Sequence, residues 1–81
     1  MHELSIALNI VEVAGEQLAR HGGERVRAVH LQLGPLAGVA KDALLFSFGL
    51  ACEGTPVEGS QLIIEDTEGQ DLEIVRMEIE P

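Results

Sequence analysis

Apolar and polar positions in the first quarter of the chain alternate with the period of an α-helix. The apolar positions are Leu4, Leu8, Val11 and Leu18. They recur at four- and seven-residue spacings, with polar residues on the opposite side. Gly22 and Gly23 follow, and glycine readily adopts the left-handed conformation that ends many helices. The pattern predicts an amphipathic helix that ends near His21.

The segment from Val29 to Leu33 alternates strictly between apolar and polar residues, as a strand with one buried face does. This alternation predicts that His30 and Gln32 face solvent. The sequence GPLAG then predicts a turn, because glycine and proline favour turn conformations.

A second helix is predicted from Val39 to Glu53, where Gly54 and Pro56 end the pattern. Its apolar residues lie on nearly every side of the helical wheel. Such a helix is either packed between two layers or partly an interface.

Two further strands are predicted at Gln61–Asp66 and Asp71–Glu80, joined by a short turn at 67–70. The short turn predicts an antiparallel hairpin between them. Apolar residues change parity between Ile74 and Val75, which predicts a β-bulge or an altered join there.

Together these elements predict an α+β fold, a small three- to four-stranded mixed sheet with two helices packed on one face. The chain has 81 residues, enough for a single domain. A core of this size supplies only about 3–5 kcal/mol of stability, which leaves formation of a homo-oligomer as an option.

Charge and composition narrow the function. Fourteen acidic and five basic residues give a net charge of −9, which opposes nucleic-acid binding. The longest apolar run, Ala43–Cys52, is about half of the roughly 20 residues that span a bilayer. The amino terminus has an acidic third residue and lacks the basic start and cleavage site of a signal peptide. With Cys52 as the single cysteine, we expect a cytoplasmic protein that binds neither membrane nor nucleic acid.

The first three residues, Met1, His2 and Glu3, form a candidate metal site. The Met1 amine, the His2 backbone nitrogen and the His2 Nδ1 would close two adjacent chelate rings in one plane. This donor set suits Ni(II) or Cu(II), with copper the tighter binder, and the fourth position falls to Glu3, water or a partner. The residues alone leave open whether this terminus is a site or has no role.

The remaining candidates for chemistry have simpler explanations. His21 suits the negative end of a helix dipole, His30 suits a solvated strand, and Cys52 suits a buried apolar position. The chain contains no phosphate-binding loop, nucleophile elbow or metalloprotease motif. We therefore expect that the protein is not an enzyme.

Four separated motifs carry a family resemblance. They are MHELSIA at the start, LGPLAGV at 33–39, ALLFSF followed by Gly54 and Thr55, and EG-x-LIIE at 58–65. Together they resemble the HypA/HybF family of nickel-insertion proteins. The resemblance implies that Met1, His2 and Glu3 bind Ni(II), and that the chain assists maturation of nickel–iron hydrogenase or urease. It implies as partners a HypB-like GTPase, a hydrogenase large-subunit precursor or a urease accessory protein.

One departure from the family pattern is large. Family members carry a zinc-binding module with two CxxC pairs ahead of the closing strand, whereas this chain has TEGQ at 67–70. We therefore expect one nickel-binding domain over 1–81 with no zinc. The alternative function is a metal-independent interaction module with a vestigial terminal site.

Overall fold

The computed structural model describes residues 2–81. Two helices and three strands follow one another along the chain: α1 (Glu3–His21), β1 (Arg25–Leu33), α2 (Lys41–Cys52), β2 (Gln61–Asp66) and β3 (Leu72–Glu80). This composition confirms the predicted α+β fold with a mixed sheet.

Helix α1 ends as predicted, but its buried face differs from the predicted stripe. Gly22 adopts a left-handed conformation with φ of 69° and its N–H donates to the carbonyl of Leu18. The buried residues are Ala7, Ile10, Val11, Ala14 and Leu18. Leu4 and Leu8 are about half exposed. Two of these buried residues are alanines, which a pattern of large apolar residues does not reveal.

The three strands lie in the order β2-β1-β3, with β1 in the centre. Strand β2 is parallel to β1, and β3 is antiparallel to it. The prediction of a hairpin between β2 and β3 is therefore wrong. Parallel pairing of β1 and β2 requires a crossover connection, which contains α2. Strand β2 lies on the opposite side of β1 from β3.

The connection between β2 and β3 consequently passes over the end of β1. The N–H of Gly34 donates to the carbonyl of Asp71, and the N–H of Leu36 donates to that of Gly69, at 2.8 Å each. A Cβ atom at Gly34 would overlap the carbonyl oxygens of Gly69 and Glu68. Glycine is required at position 34 because the connection crosses directly above it.

The predicted bulge near Ile74 and Val75 is confirmed. His30 pairs with Arg76 and Leu31 pairs with Ile74, so Val75 is the extra residue. A second irregularity falls at Arg27 in β1, between the pairs made by its two neighbours. Because of this irregularity, the alternation of apolar and polar residues changes phase within β1. The sequence pattern therefore predicted a strand only from Val29.

Helix α2 is two residues shorter at its start and one at its end than predicted. Leu44 and Phe48 face the core and are almost fully buried. Leu45, Phe46 and Leu50 are exposed, and Phe46 retains 71% of its accessible surface. One side of α2 is therefore core, and the other is an apolar surface. Neither helix within residues 2–81 is long and apolar enough to cross a membrane.

Neighbouring leucines in α2 provide a test of this packing. We expect Leu44→Ala to lower the free energy of unfolding by about 2–5 kcal/mol, because Leu44 is fully buried and truncation leaves a cavity. Leu45→Ala, at a position that is 41% exposed, should change it by about 0.5 kcal/mol or less. Urea denaturation followed by circular dichroism measures both. Equal losses in the two variants would contradict the assignment of the core face.

Candidate functional site

His2 is the residue from which α1 begins. It adopts a left-handed backbone conformation with φ of 54° and ψ of 28°, and its side chain is exposed. It is the single non-glycine residue with positive φ within residues 2–81. Histidine tolerates this region better than most residues. The His2 carbonyl accepts a hydrogen bond from the N–H of Ile6 at 3.1 Å, so the backbone at His2 is fixed by the first helical turn.

Glu3 joins this helix start to the start of α2. Its Oε2 accepts a hydrogen bond from the backbone N–H of Ala40 at 2.9 Å. Ala40 is the N-cap residue of α2 and has no capping side chain of its own. In a capping box, a glutamate in the first turn of the same helix accepts a hydrogen bond from the N-cap N–H. Here the accepting glutamate is Glu3, which is 37 residues away in sequence. The contact holds the first turn of α1 beside the amino terminus of α2.

Two of the three predicted site residues, His2 and Glu3, are adjacent in the structure, and Met1 lies outside the described residues. Among residues 2–81, no group of three or more histidine, cysteine, aspartate or glutamate side chains is arranged to hold a metal ion.

His21 lies at the opposite end of α1 from His2. The helix has 19 residues, so its ends are about 28 Å apart at roughly 1.5 Å per residue. His21 is exposed in the last turn, where a basic side chain interacts favourably with the helix dipole. The fold does not bring His21 to the candidate site.

His30 contradicts its prediction as a solvated residue. It lies on the sheet face opposite the helices, yet retains only 5% of its accessible surface. Nε2 donates to Glu78 at 2.7 Å. Nδ1 lies 3.2 Å from the carboxylate of Glu65 and 3.2 Å from the guanidinium of Arg76. It can therefore donate to Glu65 when protonated or accept from Arg76 when neutral.

The side chains of His30, Glu65, Arg76 and Glu78 form one group, the His30 cluster, in which both ring nitrogens of His30 have partners. Three long side chains from β2 and β3 cover the imidazole. The alternation of apolar and polar residues in β1 does not reveal this cover, because the covering side chains belong to other strands. The hydrogen bond from His30 holds the pKa of Glu78 below its usual value of 4.5, with further lowering by the charges of His30, Arg27 and Arg76. The cluster links all three strands through β1.

Cys52 is buried, as predicted. Removal from solvent raises the pKa of its thiol to about 11, and the negative charge of Glu58 adds to this effect. The thiol therefore stays protonated at neutral pH, which disfavours both nucleophilic attack and metal binding.

Sequence reasoning missed one member of the site, the backbone N–H of Ala40. A backbone N–H is present at almost every residue, so the sequence does not mark this one as a donor. Ala40 and Glu3 are also far apart in sequence, so their contact could not be predicted from local pattern. The motif LGPLAGV, which ends one residue before Ala40, is the one sequence signal that points to this segment.

Comparisons with known proteins converge on one family. A family model described as "Hydrogenase/urease nickel incorporation, metallochaperone, hypA" matches residues 1–78. A hydrogenase maturation factor HypA from Chloroflexus aurantiacus is 59% identical over 66 residues, which are 82% of this chain and 58% of that protein. The protein of the same description from Chlorobaculum tepidum is 43% identical over 70 residues, 86% of this chain and 62% of its own length. The chain thus matches less than two thirds of the length of either relative.

One solved structure shares the fold. The solution structure of the Ni metallochaperone HypA from Helicobacter pylori superposes with a TM-score of 0.87, covering 99% of this chain and 98% of that chain. Sequence identity between the two is 15%, so the likeness concerns the fold.

The Glu3 contact can be tested by stability. We expect Glu3→Ala to lower the free energy of unfolding by about 0.5–2 kcal/mol, because the Ala40 N–H loses its acceptor. Glu3→Gln keeps an oxygen acceptor and should retain most of this stability. Both variants lose the favourable charge at the start of α1, so the difference between them reports the loss of the side-chain hydrogen-bond acceptor. Equal unfolding free energies for the two variants would contradict a stabilising hydrogen bond between Glu3 and Ala40, which we call the tether.

The His30 cluster predicts an acid-dependent term in stability. The pKa of Glu78 is lower in the folded chain than its ordinary value, so its contribution is present above about pH 4.5 and is lost as pH falls through the folded-state pKa. Glu78→Gln should therefore be less stable than the parent at about pH 7, with a gap that narrows towards about pH 3. Urea titrations at several pH values measure this gap, and a gap that is constant with pH would contradict the assignment.

Proposed function

Because the chain belongs to the HypA family of nickel-incorporation metallochaperones, we propose that it binds Ni(II) at its amino terminus as cargo and transfers it to a hydrogenase precursor during maturation. Urease is the other recipient that the family description names. The alternative of a metal-independent module is not favoured by this membership. We propose Met1, His2 and Glu3 as the residues that supply the nickel ligands.

The observation that carries the proposal is the position of His2 at the N-cap of α1, with its imidazole exposed. The N–H of an N-cap residue, and those of the first helical residues, lie outside the helical hydrogen-bond ladder. The His2 amide can therefore lose its proton and bind metal without breaking a helical hydrogen bond. The same holds for the amide of Glu3, a candidate for the fourth ligand position.

The tether from Glu3 to Ala40 supports the proposal in a second way. It fixes the residue that follows His2, so the imidazole starts from a defined backbone position. Pre-ordering of this kind reduces the entropy lost when the donors converge on a metal.

Electrostatics favour release as well as binding. The amino-terminal end of a helix carries a partial positive charge, which opposes a cation by about 0.3–1 kcal/mol. The negative charge of a deprotonated amide and of the Glu3 carboxylate offsets this. A metal held in a plane by three nitrogens also leaves one position for a ligand from another protein, which allows transfer by ligand exchange.

We propose as recipients or helpers a HypB-like GTPase, a hydrogenase large-subunit precursor or a urease accessory protein. In this role the chain carries a metal and catalyses no covalent reaction. The free Cys52 is typical of a reducing compartment, which supports a cytoplasmic setting. The exposed apolar side of α2 offers one surface for self-association.

We propose further that residues 1–81 act as one nickel-binding domain without a zinc module. Cys52 is the single cysteine of the sequence, and its buried, protonated thiol is a poor zinc ligand. Metal analysis of the purified chain after exposure to both ions should find nickel and no stoichiometric zinc. Stoichiometric zinc would contradict this part of the proposal.

The direct test is nickel titration of a polypeptide that begins at Met1. We expect His2→Asn to bind Ni(II) about tenfold more weakly or worse, a loss of about 1.4 kcal/mol or more, because the imidazole donor is removed. Asparagine also tolerates the left-handed conformation at this position, so the backbone is preserved. Isothermal titration calorimetry measures the affinity.

The control is His21→Asn, which removes an exposed histidine at the other end of α1 and should leave nickel affinity unchanged. Acetylation of the amino terminus should weaken binding as His2→Asn does, because it blocks the amine donor. Parent-like affinity in both His2→Asn and the acetylated chain would exclude the proposed site.

A further inference from the structure

His30 is a buried titratable group that the proposed nickel function does not use. It lies in the central strand β1, where it retains 5% of its accessible surface. The charged groups that face its ring come from both edge strands: Glu65 from β2, and Arg76 and Glu78 from β3. A change in the charge of His30 therefore acts on contacts to both edges of the sheet.

The shortest of these contacts fixes the role of one ring nitrogen. Nε2 of His30 lies 2.7 Å from Oε2 of Glu78. This hydrogen bond holds the pKa of Glu78 below its ordinary value, so the carboxylate is ionised at neutral pH. An ionised carboxylate can only accept hydrogen bonds, so Nε2 carries a proton. In a neutral ring the other nitrogen, Nδ1, is then an acceptor.

Nδ1 lies between an acceptor and a donor. It is 3.2 Å from Oε2 of Glu65 and 3.2 Å from Nη2 of Arg76. Glu65 can only accept a hydrogen bond, and Arg76 can only donate one. One ring nitrogen cannot serve both partners, because it donates when it is protonated and accepts when it is not. A protonated ring also repels the guanidinium, whose Nη2 lies within 3.3 Å of both ring nitrogens.

We propose that His30 is a proton-operated switch between the two edge strands. In the neutral ring, Nδ1 accepts from Arg76 while Nε2 donates to Glu78, so both contacts are to β3. When Nδ1 takes a proton from solvent, it donates to Glu65 and Nε2 keeps Glu78, while Arg76 withdraws. The imidazolium then joins β2 to β3 across β1, so the attachment of β2 to the sheet depends on pH. The switch goes beyond the proposed nickel function and does not depend on it.

Both states satisfy the ring. An unpaired buried polar atom is costly, so a ring with one fixed set of partners resists a change of charge. Here a suitable partner for Nδ1 is already within reach in each state. The side chains of Glu65 and Glu78 are 40% and 47% exposed, so solvent screens their attraction for the imidazolium. Neither state is therefore locked in by a fully buried ion pair.

The direct test follows the histidine ring nitrogens of the isotope-labelled 81-residue chain by nuclear magnetic resonance. Spectra are recorded between about pH 5.5 and 8, on either side of the reference pKa of histidine in general. At the upper end we expect a proton on Nε2 alone and restricted rotation of the Arg76 guanidinium. At the lower end we expect a second proton, on Nδ1, that exchanges slowly with water, and a freely rotating guanidinium. His21 is the internal control, because its exposed ring should show only rapidly exchanging protons.

Two variants each remove one partner of Nδ1. Glu65→Gln should abolish the slowly exchanging Nδ1 proton, and should lower the folding equilibrium constant about fivefold more at pH 5.5 than at pH 8. Arg76→Gln should do the reverse, with the larger loss at pH 8. Glu12→Gln removes the same charge as Glu65→Gln from an exposed position on α1, and its effect should be equal at both pH values.

Three results would overturn the proposal. They are a proton on Nδ1 alone at pH 8, an Nδ1 proton in Glu65→Gln that exchanges as slowly as in the parent, and the same pH dependence of stability in Glu65→Gln and Arg76→Gln. All three are measured on the chain without nickel, so a failure here is distinct from a failure of the proposed nickel site.

Discussion

Central strand β1 is the element on which the fold and the candidate site both depend. It is the one strand of this sheet with a neighbour on each side, and the other strands do not contact each other. Its end at Leu33 leads through the turn at 34–40 to the start of α2. There the N–H of Ala40 donates to the carboxylate of Glu3, so the segment that follows β1 contacts the start of α1.

This arrangement explains how His2 and Glu3, close to the start of the sequence, hold a defined structure. Chain ends are usually disordered, because few contacts offset the entropy of fixing them. Here, a side chain immediately after His2 is attached to a second helix, and the His2 carbonyl is part of the first turn of α1. The amides near the helix start remain outside the helical ladder, so the same segment is ordered and chemically accessible. In the proposed function this combination makes it a suitable carrier for a metal that must later leave.

The sequence predicted the elements of this fold better than their arrangement. Periodicity identified both helices and all three strands, and the change of parity at Val75 identified the bulge. Pairing of β2 with β1 was missed, because strand order depends on the α2 crossover and on the connection passing over Gly34, neither of which has a periodic signature. His30 was assigned to solvent for a similar reason: its cover comes from Glu65, Arg76 and Glu78, on two strands distant in sequence.

At the candidate site, residue chemistry predicts a donor set, which stays a prediction, whereas the hydrogen bond between Glu3 and Ala40 could be found only from the fold. The most direct test of the central claim is the number of protons released per Ni(II) bound at about pH 9, above the reference pKa values of α-amino and imidazole groups in general. Coordination through the His2 amide predicts release of at least about one proton per nickel, since that nitrogen must lose its hydrogen. Stoichiometric nickel uptake with no proton release would contradict a site built on backbone nitrogen.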